Sequence, residues 1–70
     1  MDDVDKLGHL IEHWTEHNSE HAATYLEWSK RAGSLGKWDL SDILKQLSEE
    51  TLKLEGLFKK ALTLTRNSGS

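Results

Sequence analysis

Apolar or core-compatible residues recur at Val4, Leu7, Ile11, Trp14, Asn18, His21, Tyr25, Trp28 and Ala32, in alternating steps of three and four. That alternation is the mark of one helical face. A second run, Leu40, Leu44, Leu47, Thr51, Leu54, Phe58, Ala61 and Thr65, keeps the same steps, and Ile43, Leu57, Leu62 and Leu64 widen its stripe. Between the runs lies GSLGK, the only glycine-rich break. Gly33 reads as the C-cap of the first helix, and Asp39 with Asp42 resembles a capping box opening the second. The pattern predicts an all-α chain with one domain over residues 1–66. Its helices span roughly 3–32 and 39–66, its turn spans 33–38, and residues 67–70 form a disordered polar tail. Gly8 and Gly56 fall inside the helices, each at a cost of about 1 kcal/mol relative to alanine.

A short turn forces an antiparallel two-helix hairpin. Two helices leave a broad apolar face uncovered, here including Trp14, Trp28, Leu57 and Phe58. The expected solution is a homodimer forming a four-helix bundle, because a self-complementary two-fold interface is the commonest way to cover such a face. Folding the chain about the turn sets residues whose numbers sum to about 71 opposite each other. Trp14 then meets Leu57, Tyr25 meets Leu47, and His21 meets Glu50 and Thr51. A polar level results, with Asn18, His21, Thr51 and Glu50 between apolar layers.

Composition narrows the function classes. Proline and cysteine are both absent, which favours long helices and excludes disulfides and thiolate metal sites. No apolar run of about 18 residues or N-terminal signal pattern occurs, so a soluble, cytoplasmic protein without membrane insertion is expected. A net charge of −3 without a basic stripe argues against nucleic acid. The charge is asymmetric, −4 over residues 1–32 and +1 over residues 33–70. In the hairpin, Asp2, Asp3 and Asp5 are expected beside Lys59, Lys60 and Arg66, with the helix dipoles favouring the same layout.

The distinctive chemistry is GHLIEHWTEHNSEHAATYLEW, residues 8–28. It holds all four histidines, at His9, His13, His17 and His21, the last three preceded by Glu12, Glu16 and Glu20. Residues four apart stack on one side of a helix, so the imidazoles form a ladder with carboxylates beside it. With Trp14 as the centre of the buried face, His21 lies about 20° from that centre, His17 about 60°, His13 about 100° and His9 about 140°. His21 is therefore expected to be buried, His17 at the core border, His13 on its flank and His9 in solvent. Two imidazoles at i and i+4 chelate zinc, nickel, cobalt or copper, zinc or nickel foremost here. The whole ladder spans roughly 18 Å, too far for one ion. The expected metal ligands are His13, His17 and His21, completed by Glu20 or Glu16 on the same helix, by Glu50 or by a second chain. The rival reading keeps His21 as a core histidine bonded to Thr51 or Glu50.

The segment HWTEHNSEHA, followed by an aromatic residue and Trp28, resembles an HWxEHNxEHA-type motif of small uncharacterised helical proteins of anaerobic bacteria and archaea. The resemblance covers residues 7–32 closely and the second helix only in pattern. It implies a link to metal homeostasis and a metal-handling protein as partner. The order His-x-x-Glu is the reverse of the Glu-x-x-His of diiron carboxylate bundles, so their activity is not implied. No nucleophile constellation or phosphate-binding loop is present, so no enzyme is expected. The leading expectation is a small metal carrier, buffer or sensor. The alternative is a structural or protein-interaction helical module whose histidines only pack, with a pH-responsive variant.

Overall fold

The first helix starts at Asp2, whose Oδ1 accepts the Asp5 N–H at 2.9 Å. That bond satisfies one of the free donors at a helix N-terminus. The structure, a computed structural model, describes residues 2–67. Two helices, α1 (Asp3–Ser34) and α2 (Trp38–Asn67), pack against each other as an antiparallel hairpin. Apart from Asn67, which ends α2, the tail expected at 67–70 lies outside the described residues.

The turn is tighter than expected and its glycine is a different one. Gly36 carries a φ of 77°. Its N–H donates to the Gly33 carbonyl at 3.0 Å, and the Lys37 N–H donates to the Ala32 carbonyl at 2.9 Å. This is a Schellman cap with glycine at the left-handed position. Gly33 does not cap; it lies within α1, and a Cβ there would stand 3.4 Å from Ser41 Oγ. The expected Asp39 capping box is absent too. The Lys37 carbonyl accepts the first helical N–H, from Ser41. Lys37 thus ends one motif and opens the next, and Asp39 falls in the first turn of α2.

The seam between the helices is displaced from the one the apolar pattern suggests. Its buried residues on α1 are Ile11, Asn18, Ala22, Ser29 and Ala32, with Val4, Gly8, Thr15 and Tyr25 half-buried. On α2, Ser48 is buried, and Ser41, Leu44, Thr51, Glu55, Phe58, Leu62 and Thr65 are half-buried. One heptad row stays as expected, while its partner row moves by one residue, from Leu7, Trp14, His21 and Trp28 to Gly8, Thr15, Ala22 and Ser29. The new row consists of small residues, which let two helix backbones approach closely. At Gly8 a Cβ would already stand 3.3 Å from Thr65 Oγ1. Trp14, taken above as the centre of the buried face, is 45% exposed.

Close approach lets short side chains reach the opposite backbone. Ser48 Oγ donates to the Ala22 carbonyl at 2.7 Å. Ser29 and Ser41 are reciprocal, each hydroxyl donating to the other's carbonyl at 2.6 and 2.7 Å. Asn18 Nδ2 donates to the Thr51 carbonyl at 2.8 Å. Each such bond contributes about 1 kcal/mol net, and each would cost more if broken with its partner still buried. Of the acids expected beside Lys59, Lys60 and Arg66, Asp2 and Asp5 share a cleft with Arg66, but no ion pair joins them among the described residues, and Arg66 meets Glu12 at 2.8 Å. That pair is exposed and contributes little.

Gly56 has nothing within 4 Å of an added Cβ. Replacing it with alanine removes backbone freedom from the unfolded chain without a clash. Gly56→Ala is expected to raise stability by about 1 kcal/mol, read as a higher urea midpoint with an unchanged slope.

Candidate functional site

With the seam made of small residues, the large apolar ones face outward. Among the described residues, fourteen large hydrophobic ones are exposed. Ten of them, Leu7, Leu10, Trp14 and Trp28 of α1 with Leu40, Ile43, Leu47, Leu54, Leu57 and Leu64 of α2, fall on the heptad row flanking one side of the seam or on the next row outward of each helix. In an antiparallel pair these rows lie on the same side of both helices. They form one broad apolar face. The opposite face carries Glu12, Arg66 and the Ser19 hydroxyl that donates to Glu55.

The histidine ladder crosses this arrangement obliquely. All four imidazoles are exposed, so His21 is not buried and His17 does not border the core. The cause is the one-residue shift of the seam, which puts Ala22 where His21 was expected. At 3.5 residues per turn, His21 lies within about 15° of the normal to the apolar face and His17 within about 40°. His13 points about 90° away and His9 about 140°, onto the opposite side. His9 accordingly lines a cleft of about 760 Å³ at the open end of the hairpin with Asp2, Asp5, Glu12 and Arg66.

Ring contacts link His13, His17 and His21. The centroids of His13 and His17 are 4.3 Å apart in an edge contact, and those of His17 and His21 are 6.2 Å apart. His21 also stacks on Tyr25 at 6.2 Å with an interplanar angle of 18°. Among the described residues no histidine forms an ion pair with Glu12, Glu16 or Glu20, so the neighbouring carboxylates do not orient the rings. Glu20 is exposed, and its carbonyl, not its carboxylate, is engaged, accepting from Thr24. Glu50 does not meet His21. It binds Lys53 at 2.9 Å, which raises the lysine above its usual range through that hydrogen bond and the charge beside it. The Thr51 hydroxyl donates to the Leu47 carbonyl instead of to an imidazole. Within one chain, no group of three or more His, Asp or Glu side chains able to hold an ion is present among the described residues. One chain therefore offers pairs of nitrogen ligands and no complete set.

Residues 7–65 match a family described as a domain of unknown function, DUF8180. This chain belongs to the DUF8180 family. An uncharacterized protein of Archaeoglobus fulgidus is 31% identical to this DUF8180 chain over 61 residues, covering 87% of the chain and 97% of the relative. No solved structure matches it. The matched span contains all four histidines and Glu50. Among the described residues, no helix of this DUF8180 chain is long and apolar enough to cross a membrane. The hairpin's small-residue seam was signalled in the sequence by Gly8, Thr15, Ala22 and Ser29, an uninterrupted seven-residue repeat that the larger side chains beside it obscured.

Proposed function

We propose that this protein is a small transition-metal-binding protein, a carrier, buffer or sensor for zinc, nickel, cobalt or copper, acting as a homodimeric four-helix bundle. The observation that carries the reading is the stack of imidazoles on successive turns, His13 to His17 at 4.3 Å and His17 to His21 at 6.2 Å. Two rings at such spacing can turn nitrogens toward one ion, each about 2 Å from it. Glu20 and Glu50 remain candidate ligands, Glu50 after releasing Lys53. A metal-handling protein that delivers or receives the ion is part of the same proposal, as is residence in the cytoplasm.

Surface area supports the dimer. The chain exposes 5503 Å². A compact monomer of its 8.0 kDa exposes about 4,500 Å². The excess of roughly 1,000 Å² exceeds the ~800 Å² per partner of an ordinary stable interface. No large side chain is fully buried among the described residues, so the isolated hairpin holds little core of its own. The same face favours the second reading, a helical interaction module in which the histidines only pack.

Calorimetric titration of the metal-free protein with Zn²⁺ and Ni²⁺ separates the two. Metal binding predicts micromolar or tighter dissociation constants, weakened at least tenfold by removing a ligand histidine. A module predicts no affinity beyond that of a surface histidine pair and a Tm indifferent to chelator.

A further inference from the structure

We infer that the metal site is shared between two copies of this chain, with His17 and His21 of each copy as its ligands, and that metal occupancy controls dimerisation. The inference rests on the metal-binding reading and specifies its ligands, its partner and its regulation.

The first argument is position along the hairpin. α1 runs from Asp3 to Ser34, so its midpoint lies between His17 and His21. Two identical faces overlap most completely when the two-fold axis passes through the middle of each. Full overlap therefore brings this histidine level of one copy against the same level of the other. The second argument is direction. His17 and His21 straddle the normal to the apolar face, whereas His13 and His9 point aside and behind. The third argument is the setting. Trp14 stands one turn before the pair and Trp28 two turns after it, and Leu47 and Leu54 of α2 fall at the same level. A second copy would seal these apolar residues around the imidazoles and exclude water from the site.

Coordination then closes arithmetically. One chain supplies two nitrogens, and zinc in a closed site takes four ligands. Two chains supply four. Stacking on Tyr25 limits the swing of the His21 ring before the ion arrives. Without metal, the dimer must seat four imidazoles inside an apolar interface, where unpartnered polar groups are costly. Dimerisation and metal binding are consequently linked: whatever binds only the dimer stabilises it, and the effect is reciprocal.

The test combines sedimentation velocity and non-denaturing mass spectrometry of the full chain in EDTA and in Zn²⁺. Helix content by circular dichroism confirms that each variant is folded. The expected result is one zinc per two chains, with a dimer dissociation constant tightened about 100-fold when free zinc stands 100 times above its own dissociation constant. His17→Gln with His21→Gln should abolish both effects, while His9→Gln should leave both intact. One zinc per monomer, or binding that depends on His13 and leaves the association state unchanged, overturns the shared site and leaves the metal-binding reading standing. A dimer that binds no zinc overturns the shared zinc site, and one that also takes up no Ni²⁺ in the calorimetric titration removes the metal-binding reading as well.

Discussion

Ala22→Leu should lower stability by about 3 kcal/mol or more, and the Tm by roughly 10–20 °C. Ala22 is 1% exposed at the centre of the seam. Its carbonyl accepts the Ser48 hydroxyl at 2.7 Å, and one turn away Asn18 reaches the Thr51 carbonyl. Added methylenes in a packed core commonly cost 1–3 kcal/mol. Here they also push the helices apart and break bonds whose polar ends stay buried, at a further cost of about 1–3 kcal/mol each. A chain this short has only a few kcal/mol of stability in reserve, so much of it is lost. The neighbouring Ala23→Leu is the control. Ala23 is exposed on the far side of α1 and should tolerate the change within about 0.5 kcal/mol. Thermal unfolding followed by circular dichroism reads both.

Leu47→Lys combined with Leu54→Lys should weaken the proposed dimer by at least 100-fold while leaving the hairpin folded. The two leucines are 43% and 46% exposed and lie at the middle of the apolar face. In a free hairpin lysine keeps its aliphatic stem on the surface and its charge in water, so the change is nearly neutral. In a dimer each position occurs twice, and finishing the burial of a half-exposed leucine is worth about 1 kcal/mol or more. Four such losses exceed about 3 kcal/mol, which is more than two decades in the dissociation constant. Leu52→Lys supplies an internal control, because Leu52 is 47% exposed yet belongs to the opposite face. Equilibrium sedimentation over a concentration series should separate Leu52 from the other two. Equal behaviour of all three substitutions would assign the apolar face to something other than self-association.

The metal and dimer readings fail independently. Calorimetry addresses the imidazoles in the ladder, and the lysine substitutions address the leucines on the face. A shared site makes the lysine substitutions weaken zinc binding through the linkage of dimerisation to metal, whereas the His17 and His21 variants remove the ligands themselves, which is why they carry the test of the shared site.

The sequence alone determined that this chain makes two long helices joined near Gly33–Trp38, since the three-four alternation of apolar positions and the single glycine-rich break admit little else. It also determined that His9, His13, His17 and His21 follow one another turn by turn along one helix, each about 40° round from the last, a consequence of four-residue spacing that no packing can alter. The tertiary structure decided which flank of each helix faces the other. The row Leu7, Trp14, His21, Trp28 and the row Gly8, Thr15, Ala22, Ser29 both complete a heptad with Val4, Ile11, Asn18 and Tyr25, so periodicity could not choose between them. Reading by hydrophobicity selected the large residues. The backbones instead close on the small ones, where Ser48, Ser29 and Ser41 reach carbonyls across the seam. Short hydroxyls can make those bonds only at close approach, and large side chains in the row of Gly8, Thr15, Ala22 and Ser29 would prevent it. That one-residue difference moved His21 out of the core and placed Trp14, Trp28 and seven exposed leucines together on a single face.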